Sequence, residues 1–231
     1  MRKNTLKFRH ENKYVVTNAQ IHMLFNRIEH LMVRDHHAGE NGSYSIRSLY
    51  FDDYANHCFF ENENGTDPRE KFRIRIYNHS TEQIKLECKR KERGLTHKES
   101  CSLTVEQTRL LMEGKVIPDI ESQPAVLRKL TMGMLLKRMR PVIIVEYERI
   151  PFVYSIGNVR VTFDMNISSS SDMSRFLDER IPKRPVMPSG HQLLEVKYDE
   201  LIPDFIFNNL QLDNLQQTAF SKFYMCRKFS R

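Results

Sequence analysis

Apolar and polar side chains alternate with a period of two from Lys71 to Lys91, KFRIRIYNHSTEQIKLECKRK, so this stretch reads as two successive strands. Phe72, Ile74 and Ile76 fall on one face of the first strand, and Arg73, Arg75 and Tyr77 on the other. In the second, Ile84, Leu86 and Cys88 oppose Lys85, Glu87, Lys89 and Lys91. The polar segment from Asn78 to Glu82 is short enough to predict an antiparallel hairpin with one face dense in cations. A single such face is ordinarily a solvated surface. Its repetition along the chain changes that reading.

Leu6 to Val16 reads as a strand with Arg9, Glu11 and Lys13 on one parity. Thr17 and Gln20 form a capping box, and Ile21, Leu24, Phe25, Ile28, Leu31 and Met32 recur at helical spacing behind it. The loop DHHAGENGS follows, with His36 and His37 read as solvated rather than metal-bound. Tyr44 to Asp52 is a strand carrying Arg47, and Asn56 to Arg69 is irregular. Thr96 to Ser102 is a short strand bearing Lys98. A second capping box, Thr104 with Gln107, starts a helix that stops near Gly114. Pro124 opens a third helix with Leu127, Leu130 and Leu135, ended before Pro141. Val142 to Val153 is a long strand, apolar on both parities at first and then charged at Glu146, Glu148 and Arg149; alternation leaves open which of these face inward. Asn158 to Asp164 sets Val159, Val161 and Phe163 against Arg160, Thr162 and Asp164. Ser168 to Ser171 and Pro182 to Pro188 read as loops. Leu193 to Asp199 sets Leu194, Val196 and Tyr198 against Glu195, Lys197 and Asp199. Helices follow Pro203 and run from about Asn214, the last containing Ser221 and Lys222.

About eight strands with one apolar and one charged face, plus helices whose apolar stripes need a sheet to cover, predict an α+β fold. The expected form is a closed eight-stranded antiparallel β-barrel with helices packed outside, as one domain over residues 1–231. Small barrels ordinarily fill their centre with apolar groups. Unpaired buried charge costs several kcal/mol per group, so a charged lining implies a wet tunnel for a polyanion and its metal.

Composition narrows the class. With 40% hydrophobic and 28% charged residues, the chain is neither disordered nor an integral helical membrane protein by composition. Its longest apolar run, Val142 to Val145, is strand-sized, and the start MRKNTLKFRHEN lacks a secretory apolar core, so a soluble cytosolic protein is expected. A formal charge of +7 and a pI near 9.2 imply anionic partners. Cys58, Cys88, Cys101 and Cys226 have no CxxC spacing and read as reduced structural thiols. No Walker A sequence and no Ser/His/Asp arrangement offers another phosphate chemistry.

In order along the chain stand ENKY (Glu11 to Tyr14), SLYFD (Ser48 to Asp52), FRIR (Phe72 to Arg75), LECK (Leu86 to Lys89) and HKES (His97 to Ser100). They continue with YER (Tyr147 to Arg149), VRVTFD (Val159 to Asp164), LLEVKYD (Leu193 to Asp199) and FSKF (Phe220 to Phe223). Each motif is weak alone, but the ordered series resembles the catalytic domain of the vacuolar transporter chaperone (VTC) family, among the triphosphate tunnel metalloenzymes.

The resemblance implies a tunnel that binds triphosphate or polyphosphate with Mg²⁺ or Mn²⁺, and transfer of the ATP γ-phosphate to a polyphosphate chain. Carried over position by position, it assigns phosphate contacts to Lys13, Arg73, Arg75, Lys89, Lys98, Arg149, Arg160, Ser221 and Lys222; Lys197, on the same parity as Glu195, joins them. It gives Glu195 to the metal, and Arg73, Arg75, Lys89 and Glu195 are the expected catalytic set; should the metal sit elsewhere, Glu11 and Glu87 are the next carboxylates to test. Glu11-Asn-Lys13 stands where other tunnel enzymes carry ExExK, which resembles the polymerase branch more than the hydrolase branch. The expected partners are ATP and polyphosphate, with no membrane-spanning segment. Nucleic acid is not expected, because the cations alternate with core positions instead of forming one exposed stripe. A tunnel triphosphatase and a non-catalytic binder are the rival functions.

Overall fold

The alternating runs join into one curled antiparallel sheet. In the computed structural model, which describes residues 10–39, 41–93, 95–211 and 215–230, β1 (His10–Thr17) leads into α1 (Asn18–Ile28). Then come β2 (Val33–Arg34), β3 (Tyr44–Asp52), α2 (His57–Glu63), β4 (Arg69–Tyr77), β5 (Ser80–Glu92) and β6 (Leu95–Leu103). The second half holds α3 (Val105–Met112), α4 (Ala125–Lys137), β7 (Arg140–Tyr154), β8 (Val159–Ser170), β9 (Arg184–Pro185), β10 (His191–Tyr198), α5 (Asp204–Leu210) and α6 (Lys222–Lys228). Eight long strands pair in the order β1-β10-β8-β7-β3-β4-β5-β6, while the short β2 and β9 pair with β7 and β8. The α+β tunnel architecture is as expected. At the seam, no ladder joins β1 to β6 among the described residues; instead Lys89 of β5 reaches Glu11 of β1 at 2.7 Å.

Strand parity separates two environments. The outward positions of β4 and β5, including Ile74, Ile76, Ile84 and Leu86, pack with Leu111 of α3 and Leu127 and Leu130 of α4. Val161, Phe163, Leu194 and Val196 form a second cluster with Ile21, Leu24 and Ile28 of α1 and Ile206 of α5. Burying each such side chain contributes roughly 1.5 to 3 kcal/mol, which pins the register and with it the direction of every charged neighbour. The hairpin between β4 and β5 is tighter than predicted. Asn78 and His79, with φ of 49° and 57°, make a two-residue turn whose left-handed backbone matches strand twist.

The capping box at Thr17 is present: its hydroxyl accepts from Gln20 N at 3.2 Å, and Gln20 Oε1 accepts from Thr17 N at 2.8 Å. Thr17→Ala is expected to cost about 1 kcal/mol in urea denaturation. An unchanged midpoint would show that the β1 ladder, not the cap, fixes the start of α1.

Several sequence expectations are corrected. Residues Leu6 to Arg9 and Asn214 lie outside the described residues. The polar stretch after Asn56 contains α2, because the Asp52 carboxylate accepts from Cys58 N and Phe59 N and supplies the cap from a distance. Ser168 to Ser170 continue β8 instead of forming a loop; small side chains fit there beneath β9 and the segment before it. The last helix begins at Lys222, where the Ser221 hydroxyl accepts from Tyr224 N. Unlike the helices outside the sheet, α6 turns its first residues toward the interior. The four cysteines are free thiols, as expected.

Arg47, 1% exposed, shares its parity with Leu49 and Phe51 and therefore lies on the outer face of β3. It pairs with Glu146 at 2.5 Å and donates to the carbonyls of Phe176, Asp178 and Glu179. Lys183 also reaches Glu146. Burial pushes the Glu146 carboxyl up, but Lys183 and Arg47 outweigh it and hold the group ionised. This charge network fastens the 176–183 segment over the sheet and gives Glu146 an outer partner. Tyr147 and Arg149 consequently face inward, which alternation alone could not decide.

Candidate functional site

The inward faces of β4 and β5 form a double file. Their register sets Arg75 opposite Lys85, Arg73 opposite Glu87, Lys71 opposite Lys89 and Arg69 opposite Lys91. Arg73 grips Glu87 through Nε at 2.8 Å and Nη2 at 2.7 Å, and donates from Nη1 to Tyr50 Oη at 3.0 Å. Arg75 donates to Ser48 Oγ at 3.3 Å and Tyr147 Oη at 3.4 Å, with Glu87 at 3.7 Å. Lys98 of β6 reaches the same carboxylate at 2.9 Å. Burial pushes the Glu87 carboxyl up, but Arg73, Arg75 and Lys98 together hold it far below the carboxylate range.

Across the interior, Arg149 forks onto Asp164 at 2.7 and 2.8 Å, and Lys222 at the start of α6 reaches Asp164 at 2.5 Å. Tyr147 lies between these groups, with the Lys222 ammonium 4.7 Å from its ring centroid. Burial opposes ionisation of the Tyr147 phenol, but Arg149 and Arg75 override it and lower its pKa.

A third cluster straddles the β1–β10 ladder, where Glu11 faces Lys197 and Lys13 faces Glu195 in a checkerboard. Lys13 Nζ lies 2.9 Å from Glu11 and 3.7 Å from Glu195, and donates to Phe220 O at 3.0 Å. Burial raises the Glu11 and Glu195 carboxyls, but surrounding cations, Lys197 foremost, depress both well below the carboxylate range. Glu195 is 3% exposed, with Lys197 Nζ 2.6 Å and Arg149 Nη2 3.7 Å from its Oε1. Two carboxylates, Glu11 and Glu195, both within reach of Lys13, offer the oxygen donors that a hard divalent cation takes.

These groups enclose a cavity of about 460 Å³. Its wall includes Lys13, Arg73, Arg75, Lys89, Arg149, Lys197, Ser221, Lys222 and Glu195 of the expected site. The structure does not bring Lys98 or Arg160 to that wall. Lys98 spends its ammonium on Glu87 from a half-exposed position. Arg160 pairs with Asp35 at 2.8 Å and donates to Tyr44 Oη at 2.9 Å. His36 and His37 are exposed, as expected, and Asp35 Oδ1 lies 2.8 Å from His37 Nδ1.

Sequence reading left Arg69, Lys71, Lys91, Tyr50 and Tyr147 out of the site, yet all line the cavity, and Asp164 buttresses it. Parity with Arg73 and Lys89 was a signal sufficient for the three cations. Tyr50 had no such signal, because an aromatic in a β-rich run reads as core while its hydroxyl reaches Arg73.

Burial pushes the Lys71 and Lys89 amines down to about 7. Near neutral pH each is partly deprotonated, and a bound polyanion favours the charged form. Affinity for a long linear polyphosphate, which can meet both lysines, is therefore expected to fall on the order of tenfold as pH rises from about 6 to 9, with net proton uptake on binding near pH 7.5. Calorimetry in buffers of different ionisation enthalpy measures both. Proton release, or a flat profile, would show that these amines stay charged in the free protein.

A family model described as VTC domain matches residues 8–230. A search of curated proteins returned no match. Among solved structures, the chain is similar to a Hippeastrum protein described as a candidate adenylyl cyclase with a dominant triphosphatase activity. The two share 12% identity over 96% of each chain, with a TM-score of 0.56. A Bacillus halodurans protein described as a candidate adenylate cyclase aligns at 15% identity over 88% of this chain and 87% of that one, with a TM-score of 0.47. The Hippeastrum likeness shows that the tunnel fold is shared.

Proposed function

The chain belongs to the VTC domain family, and on that footing we propose that it is a metal-dependent polyphosphate polymerase, transferring the γ-phosphate of ATP to a polyphosphate chain in its basic interior. The observation that carries this reading is the charge balance of the cavity. Among the described residues, ten lysine and arginine side chains line it, against the carboxylates Glu11 and Glu195 on the wall and Glu87 and Asp164 just behind. An excess of enclosed cation calls for an enclosed polyanion.

Phosphoryl transfer depends on in-line positioning and on neutralising charge that spreads over the equatorial oxygens. A terminal oxygen of the chain attacks the γ-phosphorus, the bond to the β-phosphate oxygen breaks, and ADP leaves with that electron pair. Arg73 and Arg75 face this region as forks held by Glu87, Tyr50, Ser48 and Tyr147, so they need little reorganisation as charge develops. Arg149 and Lys222, fixed by Asp164, supply cations from the opposite wall. Lys13, Lys89 and Lys197 can release Glu11 and Glu195 and turn to phosphate oxygens. Glu195, with Glu11 beside it, would hold Mg²⁺ or Mn²⁺, which when bound would help to neutralise the phosphate charge.

Triphosphate hydrolysis is the second reading, favoured by the activity described for the Hippeastrum protein. It would use the same lining with water as acceptor. Incubation with ATP and Mn²⁺ separates the readings: long polyphosphate on a gel with matching ADP supports the polymerase, and free phosphate with no polymer supports the hydrolase. Binding of ATP and polyphosphate without turnover would reduce the protein to a binding module.

A further inference from the structure

The double file along β4 and β5 is electrically uneven. At a rise of about 3.3 Å per residue it extends roughly 20 Å from Arg75 to Arg69. Its inner end is compensated: Glu87 serves Arg73 and Arg75, and Glu11 serves Lys89. Its outer end is not. Among the described residues, Arg69, Lys71 and Lys91 have no carboxylate at ion-pairing distance. Arg69 donates to Thr66 O, and Lys71 contacts only neutral groups, Asn62 Oδ1 at 2.5 Å and Ser221 Oγ at 3.3 Å, with the Phe223 ring centroid 5.1 Å away. All three cations line the same cavity as Arg73 and Arg75. Burial that pulls the Lys71 amine down to about 7 marks a position where an incoming anion relieves a standing penalty.

We propose that Arg69, Lys71 and Lys91 form a distal anion subsite that holds phosphates of a linear chain beyond the three nearest Arg73 and Arg75. The tunnel then selects long polyphosphate over triphosphate, and the chain runs out along the β4–β5 ladder. This rests on the interior being the polyphosphate site argued above. Three phosphates suffice for cations that already share Glu87, whereas uncompensated charge in the same file is satisfied by a longer polyanion of continuous negative charge. The outer cations distinguish substrates by length, not by chemistry.

The test is calorimetric titration of tripolyphosphate and of a long linear polyphosphate into the wild-type chain, the Lys71→Gln/Lys91→Gln double variant and Lys91→Gln alone. Thermal melts verify folding, and the single variant keeps the comparison available should the double variant unfold. For the double variant, affinity for the long chain is expected to drop on the order of tenfold or more, while that for tripolyphosphate stays within about twofold. Lys91→Gln alone is expected to change the same ratio in the same direction. Equal weakening of both ligands, or of neither, overturns the distal subsite and leaves the tunnel reading in place. A wild-type chain that binds neither ligand removes the tunnel reading itself, and the subsite with it.

Discussion

Arg75→Lys is expected to lower the rate of phosphoryl transfer by on the order of 10²-fold while changing ATP affinity by only a few-fold. Arg75 is held at three points, by Ser48, Tyr147 and Glu87, on a strand locked from behind by Ile74 and Ile76, so its guanidinium is presented at a fixed angle. Lysine keeps the charge but has one donor centre, and it cannot satisfy Ser48 and Tyr147 while also contacting phosphate. Interactions stronger in the transition state than in the ground state appear in kcat, whereas charge common to both appears in binding. A matched loss in kcat/KM and ATP affinity, with kcat preserved, would make Arg75 a binding group. Arg75→Ala should be slower still.

Glu195→Gln is expected to abolish metal-dependent turnover while the fold survives. The substitution is nearly isosteric and removes the negative charge that gathers Lys197, Lys13 and Arg149, so it leaves three cations less compensated. Two readouts separate a metal role from an ion-pair role. Loss of the metal is read as loss of Mn²⁺ binding by calorimetry without any nucleotide; a structural role is read as a lowered melting temperature with Mn²⁺ binding intact. Retained turnover at ordinary metal concentrations would move the metal to Glu11 or Glu87. Of these, Glu11 is the better placed, being next to Glu195 across Lys13, whereas Glu87 is committed to Arg73 and Lys98.

Strand parity made most of this interior legible. Arg73, Arg75, Lys89 and Glu195 could be assigned to one face because Ile74, Leu86, Leu194 and Val196 claim the other, and a one-residue slip would bury charge under the helices. Parity failed in β7, where Val142 to Val145 are buried on both faces and either following set could turn inward. Resolution came from a partner distant in sequence: Arg47 takes Glu146 on the outside. The Ser168 to Ser170 strand was illegible for a related reason, since serine carries a turn signal unless another segment covers it. Arg160 shows the reverse limit. Its parity is correct, but Asp35, in a loop far along the chain, claims its guanidinium. Periodicity reports a face; it does not report a competing partner.

The gap between β1 and β6 gives the wall an uneven compliance. Around most of its circuit, widening the interior would break backbone ladders, each bond contributing about 0.5 to 1.5 kcal/mol and breaking in rows. Across the seam Glu11 and Lys89 meet through the ends of two long side chains, and β1 takes a backbone hydrogen bond from the 217–218 segment, Thr218 N donating to Lys13 O, instead of from β6. On the proposed function a divalent cation would draw Glu11, and a phosphate Lys89, away from the other, so loading the interior would loosen this side-chain stitch while leaving the backbone ladders in place.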